Sequence, residues 1–396
     1  MKNNGPILLA IPLPFYDGET FWVRDMGLIV LGIRSLGIDA RLVAYGRREN
    51  HPPDLPLILG TSDDFRNPLW WQKLAPQGIV LNTWSASRYN DIRKAALSAT
   101  PHILEKLDTD GVRSPRIWLW KYMRTSFNSC QDNGLLQRIF SPCRAISHTL
   151  AGYCLVDRKI TAAMNLMPAL AAESPLAAER MRRLMRLYHD PIPKIICIPH
   201  AVRDDYMLPD SGSTKENRIV SVGRWHSYFK NFPMLLTVLE KFLKIHPAWG
   251  ADVIGELPKG WRPESRFSTE TLRSRLRFHG FKAHKEISSI SNKAKIFFMS
   301  SRSESFNIAA AEALCCGCSV VGATDIASAH FFAGESSGTV ATRQHRDHFL
   351  DALGTEVDAW ETGRRNPEQI SKKWVATVGS VAVGKKVVEC LESLRG

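Results

Sequence analysis

Two glutamates with seven residues between them, Glu304 and Glu312, stand in the run Ser300-Ser301-Arg302-Ser303-Glu304-Ser305-Phe306-Asn307-Ile308-Ala309-Ala310-Ala311-Glu312-Ala313-Leu314, ahead of Gly317. The Ser-rich start reads as a loop, and the Ala-rich remainder as a helix that opens at Asn307 and stops at Gly317. Glu304 then lies in the loop and Glu312 about 8 Å along the helix axis from Asn307. At that separation one carboxylate can meet a hexose and the other a ribose. Between them, the N–H groups of Phe306, Asn307 and Ile308 present the positive end of the helix to an anionic oxygen. A surface position would also fit Glu312, but its neighbours are small and apolar on most sides, so a buried helix is expected, where an unpaired carboxylate is costly.

A second group of residues brings cations. Val220 to Val222 leads into Gly223-Arg224-Trp225-His226-Ser227-Tyr228-Phe229-Lys230-Asn231, which puts an arginine and a lysine in one strand-end loop. Arg supplies a planar fork of donors and Lys a compact point charge, so the pair can hold a pyrophosphate without a metal ion. A solvated basic loop would have the same composition. A third group, Asp108-Thr109-Asp110-Gly111, comes after a strand-like run from Ile103 to Leu107. Two carboxylates so placed could hold a divalent cation on a diphosphate, or simply form a turn at Asp110-Gly111.

The elements that must position these groups alternate. Ile7 to Leu13 is a short apolar run ending in a loop with Asp17 and Gly18; Met26, Ile29, Val30, Ile33 and Leu36 recur at helical spacing before Gly37; and Ala40 to Ala44 supplies another strand. Further strands are expected at 55–59, 78–81, 103–107, 151–156 and 195–198. The stretch 208–214 is linker-like, and the alternation resumes with strands at 218–222, 251–254, 276–278, 295–299 and 319–321 and helices at 234–245, 285–291 and 307–316. The pattern predicts two α/β halves with parallel sheets, and ligands of such sheets bind outside the carboxyl ends of the strands. The loops after Val222, Phe278 and Met299 are therefore expected to carry function.

Composition narrows the class. A chain of 396 residues with 44% hydrophobic and 23% charged residues can build two cores, which excludes a disulfide-held miniprotein and wholesale disorder. No run approaches the roughly 20 apolar residues needed to span a bilayer, and no signal peptide is read at the start. The eight cysteines fit no metal-ligand spacing, and a reducing cytoplasm is the expected setting. The excess of 52 basic over 39 acidic residues, +13, calls for a polyanionic neighbour. Nucleic acid is disfavoured because neither a helix-turn-helix nor a CxxC finger is present. Residues 116–124 and 180–186 set cations beside aromatics and Met, which fits either an interfacial surface docked on the inner membrane face or core helices with a basic edge.

With these residues in view, the chain resembles the retaining family-4 glycosyltransferases of the GT-B fold. The likeness runs over roughly 194–342, through Ile198-Pro199-His200-Ala201-Val202, Val222-Gly223-Arg224 with Lys230-Asn231, Gly255, Phe278-His279-Gly280-Phe281 and the block from Glu304 to Gly317. The resemblance implies two Rossmann-like doubly wound domains facing a cleft: 1–208 binding the acceptor, 209–375 binding the nucleotide sugar, and 376–396 as a helix crossing back to the first domain. It implies transfer of a sugar from a nucleotide-diphosphate donor to a glycan, lipid-linked or small-molecule hydroxyl with retained anomeric configuration and no metal or cofactor. Arg224, Lys230, Glu304, Asp108 and Asp110 would then serve catalysis, Asp108 and Asp110 on the acceptor side. Gly18, Gly223, Gly280, Phe281, Phe306, Asn307, Ile308 and Glu312 would bind the donor, with Glu304 on the sugar, Glu312 on the ribose and the Gly280-Phe281 backbone on the base. The sequence departs from the family at His200-Ala201 (usually Asn-Gly), Asn307 (usually Gly), Ser319 (usually Pro) and Asp17-Gly18-Glu19 (usually a Gly-Gly loop). The Asn307 change touches the donor-sugar contact. A sugar-nucleotide epimerase and a non-catalytic nucleotide-sugar binder on the same scaffold are the alternatives.

Overall fold

A computed structural model describes residues 7–12, 22, 25–45, 57–60, 79–81, 165, 168–186, 188–209, 214–227, 230–267, 274–302, 304, 306–324 and 326–395. The chain packs as two units: the first comprises Met1–Gly18, Gly37–Ile198 and Val387–Gly396, the second Glu19–Leu36 and Pro199–Lys386. The expected seam at 208/209 lies within the second unit.

The described part of the first unit is a parallel six-stranded sheet in the order β2-β1-β3-β4-β5-β6, built from β1 (Ile7–Pro12), β2 (Ala40–Tyr45), β3 (Leu57–Gly60), β4 (Ile79–Leu81), β5 (Ala169–Ala172) and β6 (Lys194–Cys197). The strands expected at 103–107 and 151–156 lie outside the described residues. Helix α2 (Pro175–Arg186) comes after β5, with Ser174 accepting the Ala177 N–H at its start. Met181 and Met185 on α2 are fully buried and Arg182 donates to the Ile195 carbonyl at 2.8 Å, so the apolar side of 180–186 is core. Arg183 and Arg186 face outward, as a core helix with a basic edge would have them.

Helix α1 (Asp25–Ser35) belongs with the second unit although β1 and β2 on either side of it belong to the first. Its Gly32 explains this: a Cβ there would stand 1.9 Å from the Ser380 carbonyl oxygen at the start of α9 (Ser380–Arg395). Only glycine permits that approach.

The second sheet is also six-stranded and parallel, in the order β12-β11-β10-β7-β8-β9. Its strands are β7 (Glu216–Val222), β8 (Gly250–Ile254), β9 (Leu276–Gly280), β10 (Ala294–Phe298), β11 (Ser319–Ala323) and β12 (Gly338–Ala341). The chain fills one side of β7 first and then returns to the other, so the strand order reverses between β7 and β10. The crevice at such a reversal is where doubly wound sheets take ligands.

Helices cover this sheet because their apolar residues recur on one face. In α3 (Phe232–Ile245), Leu235, Leu236, Val238, Leu239, Phe242 and Leu243 are all buried. Beyond it lie α4 (His284–Lys293), α5 (Ile308–Cys315), α6 (Ala327–Phe332), α7 (Arg346–Glu361) and α8 (Pro367–Val378). Cys315, Cys316 and Cys318 at the end of α5 are buried, and desolvation pushes their thiols up. The C-terminal stretch is two helices rather than one, broken at Gly379 where the Val202 N–H bonds the Val378 carbonyl at 2.8 Å. The expected 375/376 seam falls inside α8. Glu356 and Arg365 form a bidentate ion pair at 2.6 and 2.9 Å with side chains 0% and 5% exposed, and Thr339 adds a hydroxyl to Glu356 at 2.5 Å. Arg365 also donates to the Glu335 carbonyl, so this pair ties the α7–α8 turn to the edge of the sheet.

Candidate functional site

The crevice between β7 and β10 brings together two of the expected residues. The Lys230 ammonium, on the loop after β7, lies 2.5 Å from a Glu304 carboxylate oxygen on the loop after β10. The same oxygen accepts the Ser301 hydroxyl at 2.6 Å, and the Ser300 hydroxyl donates to the Lys230 carbonyl at 3.0 Å. With side chains 21% and 10% exposed, the pair stands at the surface of the crevice, where the attraction is weakly screened. Gln344 pins the β10 loop by donating to the Arg302 carbonyl at 2.8 Å.

Arg224 lies on the β7 loop, exposed, and its guanidinium makes no hydrogen bond or ion pair with other described residues. Its neighbours are tightly held. The Trp225 indole donates to the Ile254 carbonyl at 2.9 Å, the Trp225 N–H bonds Glu256 at 2.8 Å and the Gly223 N–H bonds Ile254 at 3.1 Å. Gly255 has φ +118°, and a Cβ on it would meet the Gly223 oxygen at 1.9 Å. The loops after β7 and β8 can therefore meet only backbone to backbone.

Asn231 (φ 53°) and Asn307 (φ 66°) are, among the described residues, the two non-glycine residues in the left-handed region, and they stand at the N-termini of α3 and α5 beside the crevice. Asparagine tolerates this conformation better than most residues. That accounts for Asn307 where the resembling family has Gly: the backbone turn is kept while a side chain is added. Its Oδ1 accepts the Ala310 N–H at 3.3 Å. The N–H groups of Phe306, Asn307 and Ile308 make no backbone hydrogen bond among the described residues, so the α5 start offers donors to an anion. The Phe306 ring itself is core, 1% exposed and packed on Phe332 at 5.0 Å and His200 at 5.1 Å; the Ile308 side chain is partly exposed.

Glu312 is buried on α5, and its charge acts on Tyr206 and Arg203. Burial and then Glu312 push the Tyr206 hydroxyl well above its ordinary range, while Tyr206 shares a 2.9 Å hydrogen bond with His284 Nδ1. Arg203 holds the Asp205 carboxyl below its usual range through a bidentate contact at 2.8 and 2.9 Å. Gly280 ends β9 with φ +64°, and Phe281 after it is 86% exposed. Gly18, Asp108 and Asp110 lie outside the described residues. Among the described residues no three His, Cys, Asp or Glu side chains are grouped to hold a metal ion, and no helix is long and apolar enough to cross a membrane.

Sequence reasoning missed Ser301, which orients Glu304, and the left-handed backbone of Asn231 and Asn307. The Ser-rich loop and the position of each Asn just before a helix are the signals that could have found them.

Residues 207–372 match the family model of glycosyl transferases group 1. No curated protein matches the chain in sequence. Among solved structures, sucrose-phosphate synthase from Thermosynechococcus elongatus aligns over 99% of both chains at 14% identity with a TM-score of 0.57. The α,α-trehalose 6-phosphate synthase from Burkholderia multivorans aligns over 99% of both at 11% identity and 0.56. The GtfA/B complex matches 59% of this chain at 16% identity and 0.49, and this chain spans 47% of that one, about half its length. The fold is GT-B, and residues 207–372 are recognised by the family of glycosyl transferases group 1.

Proposed function

We propose that this chain transfers a sugar from a nucleotide-diphosphate sugar to a hydroxyl acceptor. The observation that carries the reading is the Lys230–Glu304 contact at the strand-order reversal, beside the N–H groups that open α5 and make no backbone hydrogen bond among the described residues. A cation and a helix N-terminus suit a diphosphate, and a carboxylate next to them suits sugar hydroxyls.

In the proposed reaction the bond between the sugar C1 and the donor's β-phosphate oxygen breaks, and a bond forms from C1 to the acceptor oxygen on the same face. The acceptor proton passes to the departing phosphate oxygen. Lys230, Arg224 and the α5 N–H groups stabilise the charge that grows on the diphosphate, so no metal ion is needed. Glu304 holds the sugar, Glu312 the ribose, and Gly280 with Phe281 the base. Asp108 and Asp110 are proposed to serve the acceptor, a glycan or lipid-linked hydroxyl, and Gly18 the donor. Incubation with a panel of UDP, GDP and ADP sugars, with chelator present, tests the reading. Slow release of nucleoside diphosphate from one donor supports it, and no turnover with any donor and acceptor pair counts against it.

A further inference from the structure

Three side chains form a line across β7, β8 and β9 beneath the edge assigned above to the base. Asp252, in the middle of β8, is 3% exposed. One of its oxygens takes the Arg218 Nε–H from β7, and Arg218 also donates to the Ala251 carbonyl at 3.2 Å. The other oxygen lies 2.7 Å from His279 Nε2 on β9. All five residues of β8 are buried, and a carboxylate in such a strand is tolerated only when its oxygens are partnered.

His279 occupies an irregular position. β8 and β9 pair Asp252 with Arg277 and Val253 with Phe278, and then Ile254 with Gly280. His279 is thus one extra residue in β9, and an extra residue bends a strand and re-aims the residues beyond it. Here those residues are Gly280 at φ +64°, its carbonyl accepting the Gly255 N–H at 2.8 Å, and then the 86% exposed Phe281.

We propose that His279 is a positioning residue for nucleotide binding. Held by Asp252 and through it by Arg218, it fixes the register shift that turns Gly280 and Phe281 outward, and so sets the geometry in which the base is received. It acts on donor affinity through these two residues, not on the chemical step. The proposal rests on the glycosyltransferase reading of the same site.

The test is calorimetric titration of UDP, GDP and ADP into the wild-type chain and the variants His279→Ala, His279→Gln and Asp252→Asn. Thermal melting and hydrolysis kinetics of the matching donor accompany it. His279→Ala should weaken binding of the preferred diphosphate and raise the donor KM about tenfold with kcat unchanged. His279→Gln, whose amide can donate to Asp252, should recover most of the loss, and Asp252→Asn should weaken the same diphosphate. A His279→Ala chain that melts lower yet keeps wild-type affinity and KM overturns the proposal. If that variant does not fold, wild-type affinity in Asp252→Asn overturns it instead. A wild-type chain that binds none of the three diphosphates overturns the glycosyltransferase reading and this proposal together, whereas wild-type binding with unchanged variants overturns this proposal alone.

Discussion

Lys230 and Glu304, 74 residues apart in the chain, touch at 2.5 Å across the point where the strand order of the second sheet reverses. Each comes from the loop at the carboxyl end of a neighbouring strand, β7 or β10, and Ser301 and Ser300 fix the contact from the β10 side. Lys230→Ala and Arg224→Ala are each expected to leave the fold intact and to reduce turnover about 100-fold, on the order of 3 kcal/mol of leaving-group stabilisation. Steady-state kinetics with the preferred donor checks this, and near-normal turnover in both would remove the diphosphate assignment.

Asn307 combines a left-handed backbone with a cap on Ala310. Asn307→Ala loses the cap and forces a Cβ residue into that region without side-chain support, which is expected to cost about 1–2 kcal/mol. Asn307→Gly should cost only a few tenths of a kcal/mol, since glycine adopts the same φ freely. Urea unfolding of the two variants checks the order; an alanine variant as stable as the glycine one would refute the strain argument.

The buried Glu356–Arg365 pair predicts an asymmetry. Arg365→Met strands a carboxylate that is 0% exposed and should destabilise the second unit by about 3–5 kcal/mol, whereas adding Glu356→Leu should recover much of that loss. Thermal melts of the single and double variants decide it. Equal destabilisation by both would mean that packing of the Arg365 stem, not the ion pair, holds the α7–α8 turn.

His284, bonded to Tyr206, carries a pH dependence. Burial, and then Arg203, holds its imidazole below the ordinary value of 6.5. The folded state therefore favours the neutral ring, so this contribution is fully present above pH 6.5 and is lost as pH falls through the lower folded value. Stability should decline as pH falls from about 6.5 to that value, and His284→Gln should flatten that part of the curve. An unchanged slope in the variant would assign the decline to other groups.

Particular residues explain how much could be read before the fold was known. β7 and α3 were legible because Ile219, Val220 and Val222 form a β-branched stretch closed by Gly223 and the leucines of α3 recur at helical spacing. The placement of Lys230 and Glu304 on strand-end loops was legible too, because each comes after a recognisable strand, but their contact with each other was not. β5 was not: Ala169-Leu170-Ala171-Ala172 carries no β-branched residue, and only its complete burial between β4 and β6 makes it a strand. The break at Gly379 is not marked in the hydrophobic pattern, because valines recur on both sides of it, at Val375 and Val378 and at Val381 and Val383. Asp252 looks in sequence like a polar interruption of β8. Its meaning depends on Arg218 and His279, which lie 34 and 27 residues away and reach it only through sheet pairing.

The central claim, that the Lys230–Glu304 crevice receives the diphosphate of a nucleotide sugar, is tested most directly by nucleoside diphosphate binding to the wild-type chain, Lys230→Ala and Glu304→Gln. The wild type is expected to bind one of UDP, GDP and ADP in the presence of chelator. Lys230→Ala should bind that diphosphate at least about tenfold more weakly, and Glu304→Gln, which frees the ammonium, at least as tightly as wild type. Binding by Lys230→Ala at wild-type strength would contradict the account.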